Sequence, residues 1–165
     1  MCQPTGKYEM PKKLSKKYEE VELVYRNRKK VSDRIRIRDA QEAYDILKEN
    51  WDFNKINLQE EFKILLLDNR MGLMSISPIS KGGLSGTVVD AKIVFATALK
   101  RRANRIIMAH NHPSGSLEPS KQDLQLTQTF IRAGNFLQLP IEDHIIITQE
   151  GYCSLITDYA DELAF

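Results

Sequence analysis

The sequence predicts an α/β or α+β fold, with one mixed β-sheet flanked by helices, and three features carry that prediction. Leu65, Leu66 and Leu67 form a near-continuous apolar run, as a strand buried on both faces requires. Arg105 to Ala109 (RIIMA) is a second short segment of the same kind. Around these two, apolar residues recur at helical spacing in several places, so helices and strands alternate irregularly. The 165 residues suffice for one compact domain with a proper core and fall short of two.

Residues 1–18 read as a flexible basic tail containing Pro4 and Pro11. The alternation at Val21, Leu23 and Tyr25 predicts a short strand near residue 20. Ile35 and Ile37, set among Arg34, Arg36 and Arg38, predict a second short strand or edge. From Asp39, a suitable N-cap, the positions Ala40, Ala43, Tyr44, Ile46 and Leu47 predict a helix to about Asn50. Trp51 to Asn57 reads as a linker. The chain thus divides into the tail, an extension over 19–57, and a main domain over 58–165.

In the main domain, Asp68-Asn69-Arg70-Met71-Gly72 is a turn and LMSISPIS the returning strand of a hairpin. Gly82, Gly83 and Gly86 mark a loop before a helix that starts near Asp90 and runs through AKIVFATALKRRAN. The strand at 105–109 leads directly into His110. Ser120 opens a further helix with Leu124, Leu126, Phe130 and Ile131 as apolar positions. Pro140 breaks the chain, DHIIITQEG gives another strand and turn, YCSL continues the sheet, and DYADELAF closes as a helical end.

Several function classes drop out early. No apolar run approaches the roughly 20 residues of a membrane span. The lysine-rich N-terminus lacks the apolar stretch of a secretory signal, so a cytoplasmic location is expected. The two cysteines, Cys2 and Cys153, cannot build a cysteine zinc site, so any metal here is held by histidine and carboxylate. Charge is uneven: residues 1–40 hold 12 Lys+Arg against 6 Asp+Glu, and the remainder 12 against 16. A basic head of this kind suits a solvated leader, and also contact with nucleic acid or an acidic partner.

The densest chemistry lies between His110 and Asp123. Two histidines spaced H-x-H on extended backbone point the same way and can reach one ion. Zinc accepts imidazole readily, and its catalytic sites use three protein ligands plus water. Asp123, in the first turn of the helix after the Pro113/Gly115/Pro119 loop, is the candidate third ligand. Ser120-x-x-Asp123 equally matches a helix capping box, and the two roles coexist if the cap fixes the carboxylate. Two histidines and a carboxylate also describe non-haem iron sites, though those usually sit on β-barrels. The P-C-x-x-C of zinc deaminases is absent.

His110-Asn111-His112-Pro113-Ser114-Gly115, followed by Pro119-Ser120 and Asp123, resembles the JAMM (MPN+) metallopeptidase motif in the form carried by the RadC-like JAB domains of bacteria. The resemblance runs from about Glu60 to the C-terminus and takes in SKGGLSGTVVD and Asp143-His144-Ile145-Ile146. Asn111 stands where the general motif has Ser or Thr, a departure typical of the RadC branch.

The resemblance implies a JAB/MPN, cytidine-deaminase-like architecture and one Zn²⁺ per chain on His110, His112 and Asp123. It implies a glutamate base on an earlier strand, where the pattern Glu-x-Phe selects Glu60 before Phe62 and leaves Glu61 as the alternative. It also implies that Ser120 donates to the oxyanion of a tetrahedral intermediate. The expected reaction is hydrolysis of a peptide or isopeptide bond. His144 starts a strand within reach of the site and is expected to be structural, with a hydrogen bond within the sheet, and Cys153 is expected to be a core or sheet residue. The RadC name is tied historically to DNA repair, and longer RadC proteins precede this domain with a helix-hairpin-helix module. The first 40 residues hold no Gly-x-Gly hairpin, so the chain reads as a short form, with the basic segment Lys12–Arg38 as the place for phosphate contacts.

Overall fold

A computed structural model describes residues 30–83 and 87–164. The strand expected near residue 20, the whole basic tail and part of the glycine loop lie outside those residues.

A short 3-10 helix, Val31–Asp33, precedes α1 (Ala40–Glu49). The second predicted edge strand is reduced to one bridge, Arg36 with Gly72, which leaves Ile37 buried and Ile35 exposed. Asp39 caps α1 as expected, its carboxylate accepting from the Glu42 amide. There follow β1 (Glu61–Leu67), β2 (Leu73–Lys81), α2 (Ala91–Arg101), β3 (Arg105–Asn111), α3 (Lys121–Phe136), β4 (Ile141–Ile147), β5 (Tyr152–Ser154) and two single turns of helix, α4 (Leu155–Asp158) and α5 (Ala160–Leu163). The α2 helix stops at Arg102, in left-handed backbone at φ 56°, short of the RRAN end that its apolar spacing suggested.

The strands form one sheet in the order β2-β1-β3-β4-β5. Only β3 and β4 pair in parallel, and the other three pairings are antiparallel. The fold is therefore the α+β mixed sheet flanked by helices that the sequence predicts. Period-2 alternation splits the central strands cleanly between the two faces. On one face Leu65, Leu67, Ile107, Ala109, Ile145 and Ile147 pack against α1. Trp51 and Ile56 join that face, so the segment read as a linker belongs to the core. On the other face Phe62, Ile64, Leu66, Ile106 and Met108 meet α2 and α3. Cys153 lies buried on β5, as expected.

Two contacts show how tightly the sheet is tied. At the β1–β2 turn, Asp68 accepts from Arg34 Nη1 at 2.6 Å and from the amides of Arg70 (2.8 Å) and Gly72 (2.9 Å). Burial pushes the Asp68 carboxyl up, but Arg34 and those amides outweigh it and hold its pKa below the ordinary value of 3.8. Breaking such a mostly buried pair leaves the guanidinium uncompensated. Asp68→Ala is expected to cost about 3 kcal/mol at pH 7 in urea unfolding. Because the folded pKa is depressed, the wild-type advantage is present above about pH 4 and fades as the pH falls through the folded value. The gap between wild type and Asp68→Ala should therefore be smaller at pH 3 than at pH 7, and an equal gap at both pH values would refute the ion-pair account.

The second contact is at Gly134 in α3. A Cβ there would lie 2.5 Å from the Leu139 carbonyl oxygen, which is backbone and cannot swing away. Gly134→Ala is expected to destabilise by roughly 1–3 kcal/mol, against the gain that alanine usually brings to a helix. Thermal melts of the two proteins check the sign.

Candidate metal centre

The H-x-H pair straddles the end of β3. His110 lies opposite Phe62 of β1, on the α2–α3 face, and only 2% of it is exposed. His112 follows just past the strand, with its amide bonded to the Ile147 carbonyl at 3.2 Å. The two Nε2 atoms come within 3.0 Å of each other. The same-side reading of the spacing is therefore correct, although the strand runs through Asn111 rather than ending before His110.

The loop after His112 returns the chain through local hydrogen bonds. Gly115, at φ 82°, closes a turn on the His112 carbonyl at 3.0 Å, and Ser116 Oγ receives the Glu118 amide at 3.1 Å. Ser120 then caps α3. Its Oγ accepts from the Asp123 amide at 3.1 Å, while its own amide donates to Asp123 Oδ2 at 2.8 Å. This reciprocal box aims Asp123 at the histidines, with Oδ1 3.3 Å from His110 Nε2 and Oδ2 3.4 Å from His112 Nε2. Among the described residues, His110, His112 and Asp123 are the group able to hold a metal ion, their ligand atoms lying within 4.8 Å of one another.

The donor set fits a cation. His112 Nδ1 sits 2.8 Å from the Ser116 carbonyl oxygen, which can only accept, so Nδ1 carries the proton and Nε2 presents a lone pair. Two imidazole nitrogens and a carboxylate thus converge on one point, the ligand chemistry that zinc prefers. Burial pushes the Asp123 carboxyl up, but bonds to His110, His112 and Ser120 more than offset this and hold it far below the carboxylate range. Burial pushes His112 down, yet Asp123, the Ser116 carbonyl and the charge of Glu60 together raise it above the ordinary histidine value.

Glu60, Phe62, His110, His112, Ser120 and Asp123 line one cleft of about 620 Å³, closed on its other sides by Thr87, Val89 and the 113–119 loop. Glu60 lies one residue before β1, in phase with Phe62 and so on the histidine face. Glu61 turns the other way, paired with Lys81 at 2.8 Å and Lys63 at 3.4 Å. Ser120 reaches the cleft, but its hydroxyl proton points to Asp123 Oδ2 at 2.6 Å.

Two neighbours were given no role at the site from the sequence. Asn111, fully buried between the histidines, donates to the Ile56 (2.6 Å) and Gln59 (3.0 Å) carbonyls and accepts from the Glu61 amide (2.7 Å). It ties the approach to β1 on both sides of Glu60. His144 lies mid-strand, fully buried, with Nε2 2.9 Å from His110 Nδ1. The structural role expected of it is therefore played at the site itself.

The fold and site define an α+β domain carrying a two-histidine, one-carboxylate candidate metal centre at the open end of its parallel strand pair. The chain belongs to the RadC-like JAB domain family, whose model matches residues 37–161. It is 43% identical over 97 residues to a UPF0758 protein of Syntrophomonas wolfei, covering 59% of this chain and 41% of that protein. It is 43% identical over 99 residues to one from Flavobacterium johnsoniae, covering 60% and 43%. With one from Alkaliphilus metalliredigens it shares 37% over 120 residues, 73% and 50%. The chain thus spans half or less of the length of these curated relatives. Among the described residues, no helix is long and apolar enough to cross a membrane.

Proposed function

We propose that this chain is a zinc-dependent hydrolase of the JAMM type that cleaves a peptide or isopeptide bond. The observation that carries the reading is the convergence of His110 Nε2, His112 Nε2 and the Asp123 carboxylate beside Glu60 in one cleft. His110, His112 and Asp123 would hold the zinc. When bound, such an ion lowers the pKa of water toward about 7 and polarises a carbonyl. Glu60 accepts the proton of the attacking water and passes it to the leaving nitrogen, as general base and then acid. Asn111 holds the backbone on either side of that carboxylate. Ser120 serves the oxyanion once its hydroxyl turns from Asp123, while its oxygen keeps the Asp123 amide and so the cap.

Metal analysis of protein purified without chelator, paired with an unbiased peptide-library screen, tests the proposal. Zinc near one per chain, lost in His112→Ala, together with cleavage of some library member, is the expected result. A folded His112→Ala protein that still binds one zinc sinks the ligand assignment.

A second reading is contact with nucleic acid through the basic segment Lys12–Arg38. In its favour, Arg34, Arg36 and Arg70 line one shallow groove beside the β1–β2 turn. Against it, Arg34 and Arg38 are engaged by Asp68 and Glu42. Phosphate contacts would make binding fall steeply with salt. DNA affinity that survives neutralising Arg26 to Arg38 and deleting residues 1–18 rules the segment out.

A further inference from the structure

A buried chain of hydrogen bonds runs from the back of His110 to the backbone of α3. Thr127 Oγ1 lies 2.6 Å from the Asp123 carbonyl oxygen, one helical turn earlier, and also 2.6 Å from His144 Nδ1. His144 Nε2 in turn lies 2.9 Å from His110 Nδ1. His110, Thr127 and His144 are at most 2% exposed. Each of these contacts needs a proton between its two heavy atoms, because two lone pairs at such distances repel. The 3.0 Å contact between His110 Nε2 and His112 Nε2 obeys the same rule on the cleft side, where a metal ion or, in metal-free protein, one further proton lies between the ligand atoms.

The protons can be placed by elimination. A carbonyl oxygen only accepts, so the 2.6 Å contact to Asp123 takes the single hydroxyl proton of Thr127. Thr127 Oγ1 must then accept from His144, whose proton is therefore on Nδ1. Among the described residues no carboxylate bonds to the His144 ring to balance a buried cation, so the ring is neutral and Nε2 is bare. The proton between the two rings comes from His110 Nδ1, and His110 Nε2 is left to face His112 and Asp123. The reverse order of protons would leave Thr127 Oγ1 and the Asp123 oxygen in contact with nothing between them.

We infer that Thr127 and His144 are positioning residues that fix the ring orientation and tautomer of His110, so that its Nε2 lone pair is presented to the cleft. The consequence for metal affinity rests on the reading of His110 as a ligand; the tautomer itself does not. His112 reaches the same state through the Ser116 carbonyl alone. The two ligands are thus set by different elements, His112 by its own loop and His110 by α3 and β4. Because the relay starts on the Asp123 carbonyl, the third ligand's residue also anchors the first ligand's ring.

The test reads tautomers directly, from ¹⁵N histidine spectra of the wild-type protein stripped of metal. The relay requires a proton on His144 Nδ1 with Nε2 bare, and a proton on His110 Nδ1. His144 protonated on Nε2 overturns it, and this measurement needs no variant. Zinc affinity by chelator competition follows in Thr127→Val, which keeps the shape and loses the hydroxyl, and in Thr127→Ser, which restores it. Valine is expected to weaken zinc about 10–100-fold, with serine within about threefold of wild type. Valine with unchanged affinity and unchanged tautomers overturns the inference. Expected tautomers in a wild-type protein that binds no zinc uphold the relay and refute the metal reading instead.

Discussion

Asp123→Asn is expected to reduce zinc affinity by more than about 100-fold, beyond the 10–100-fold that loss of a supporting hydrogen bond costs, while leaving the protein folded. Asp123 has two jobs in the structure. One oxygen faces each histidine, and Oδ2 also closes the capping box on the Ser120 amide. Asparagine keeps an oxygen able to accept from that amide and loses the charge. The cap therefore survives and the ligand does not. Ser120→Ala is the complementary variant. It removes the hydroxyl that accepts from the Asp123 amide, which costs about 1 kcal/mol of stability, and it keeps all three ligands. Zinc competition and urea unfolding run on both proteins separate the roles. If Asp123→Asn binds zinc like wild type, the carboxylate is only a cap.

Glu60→Gln is expected to slow hydrolysis about 10²–10⁴-fold, the usual contribution of a positioned general base, with zinc stoichiometry unchanged. Glu61→Gln is expected to leave the rate within about fivefold, a change too small for loss of a base. The difference follows from β-strand phase. Glu60 shares the face of Phe62 and His110, whereas Glu61 points to the opposite face and spends its charge on Lys63 and Lys81. Burial pushes the Glu61 carboxyl up, but those two lysines outweigh it and hold its pKa below the ordinary value. A library substrate found with the wild-type protein supplies the assay. Activity kept in Glu60→Gln and lost in Glu61→Gln would reverse the assignment.

What was legible in the sequence was whatever depends on local spacing. The Leu65–Leu67 run announced a central strand, H-x-H put two rings on one side, and Ser120-x-x-Asp123 announced a cap. What was hidden depends on pairing between distant segments. His144 meets His110 across the parallel β3–β4 ladder, 34 residues away, and the register of that ladder leaves no mark on either strand. Thr127 looks like an ordinary polar helix position until β4 is laid against α3. Trp51 and Ile56 read as linker residues because their segment has no periodicity. Yet Ile56 is fully buried, and Lys63 Nζ stands 4.1 Å from the centre of the Trp51 ring. Glu60 is the intermediate case, since phase alone permits it and only the motif resemblance selected it.

The amide of Asn111 has a consequence for how this domain can vary in length. It grips the chain at Ile56, Gln59 and Glu61, so the entrance to β1 has no slack to take up an inserted or deleted residue. A single deletion between Gln59 and Phe62 would shift the side-chain phase by one and turn the neighbouring residue into the cleft in place of Glu60. The loop from Pro113 to Pro119 is held by short-range turns and hydroxyl contacts of its own residues and lies largely at the surface. New segments that reshape the mouth of the cleft can be grafted beyond Ser116, whose carbonyl holds the His112 ring, whereas the spacing from Ile56 to Phe62 has to stay fixed.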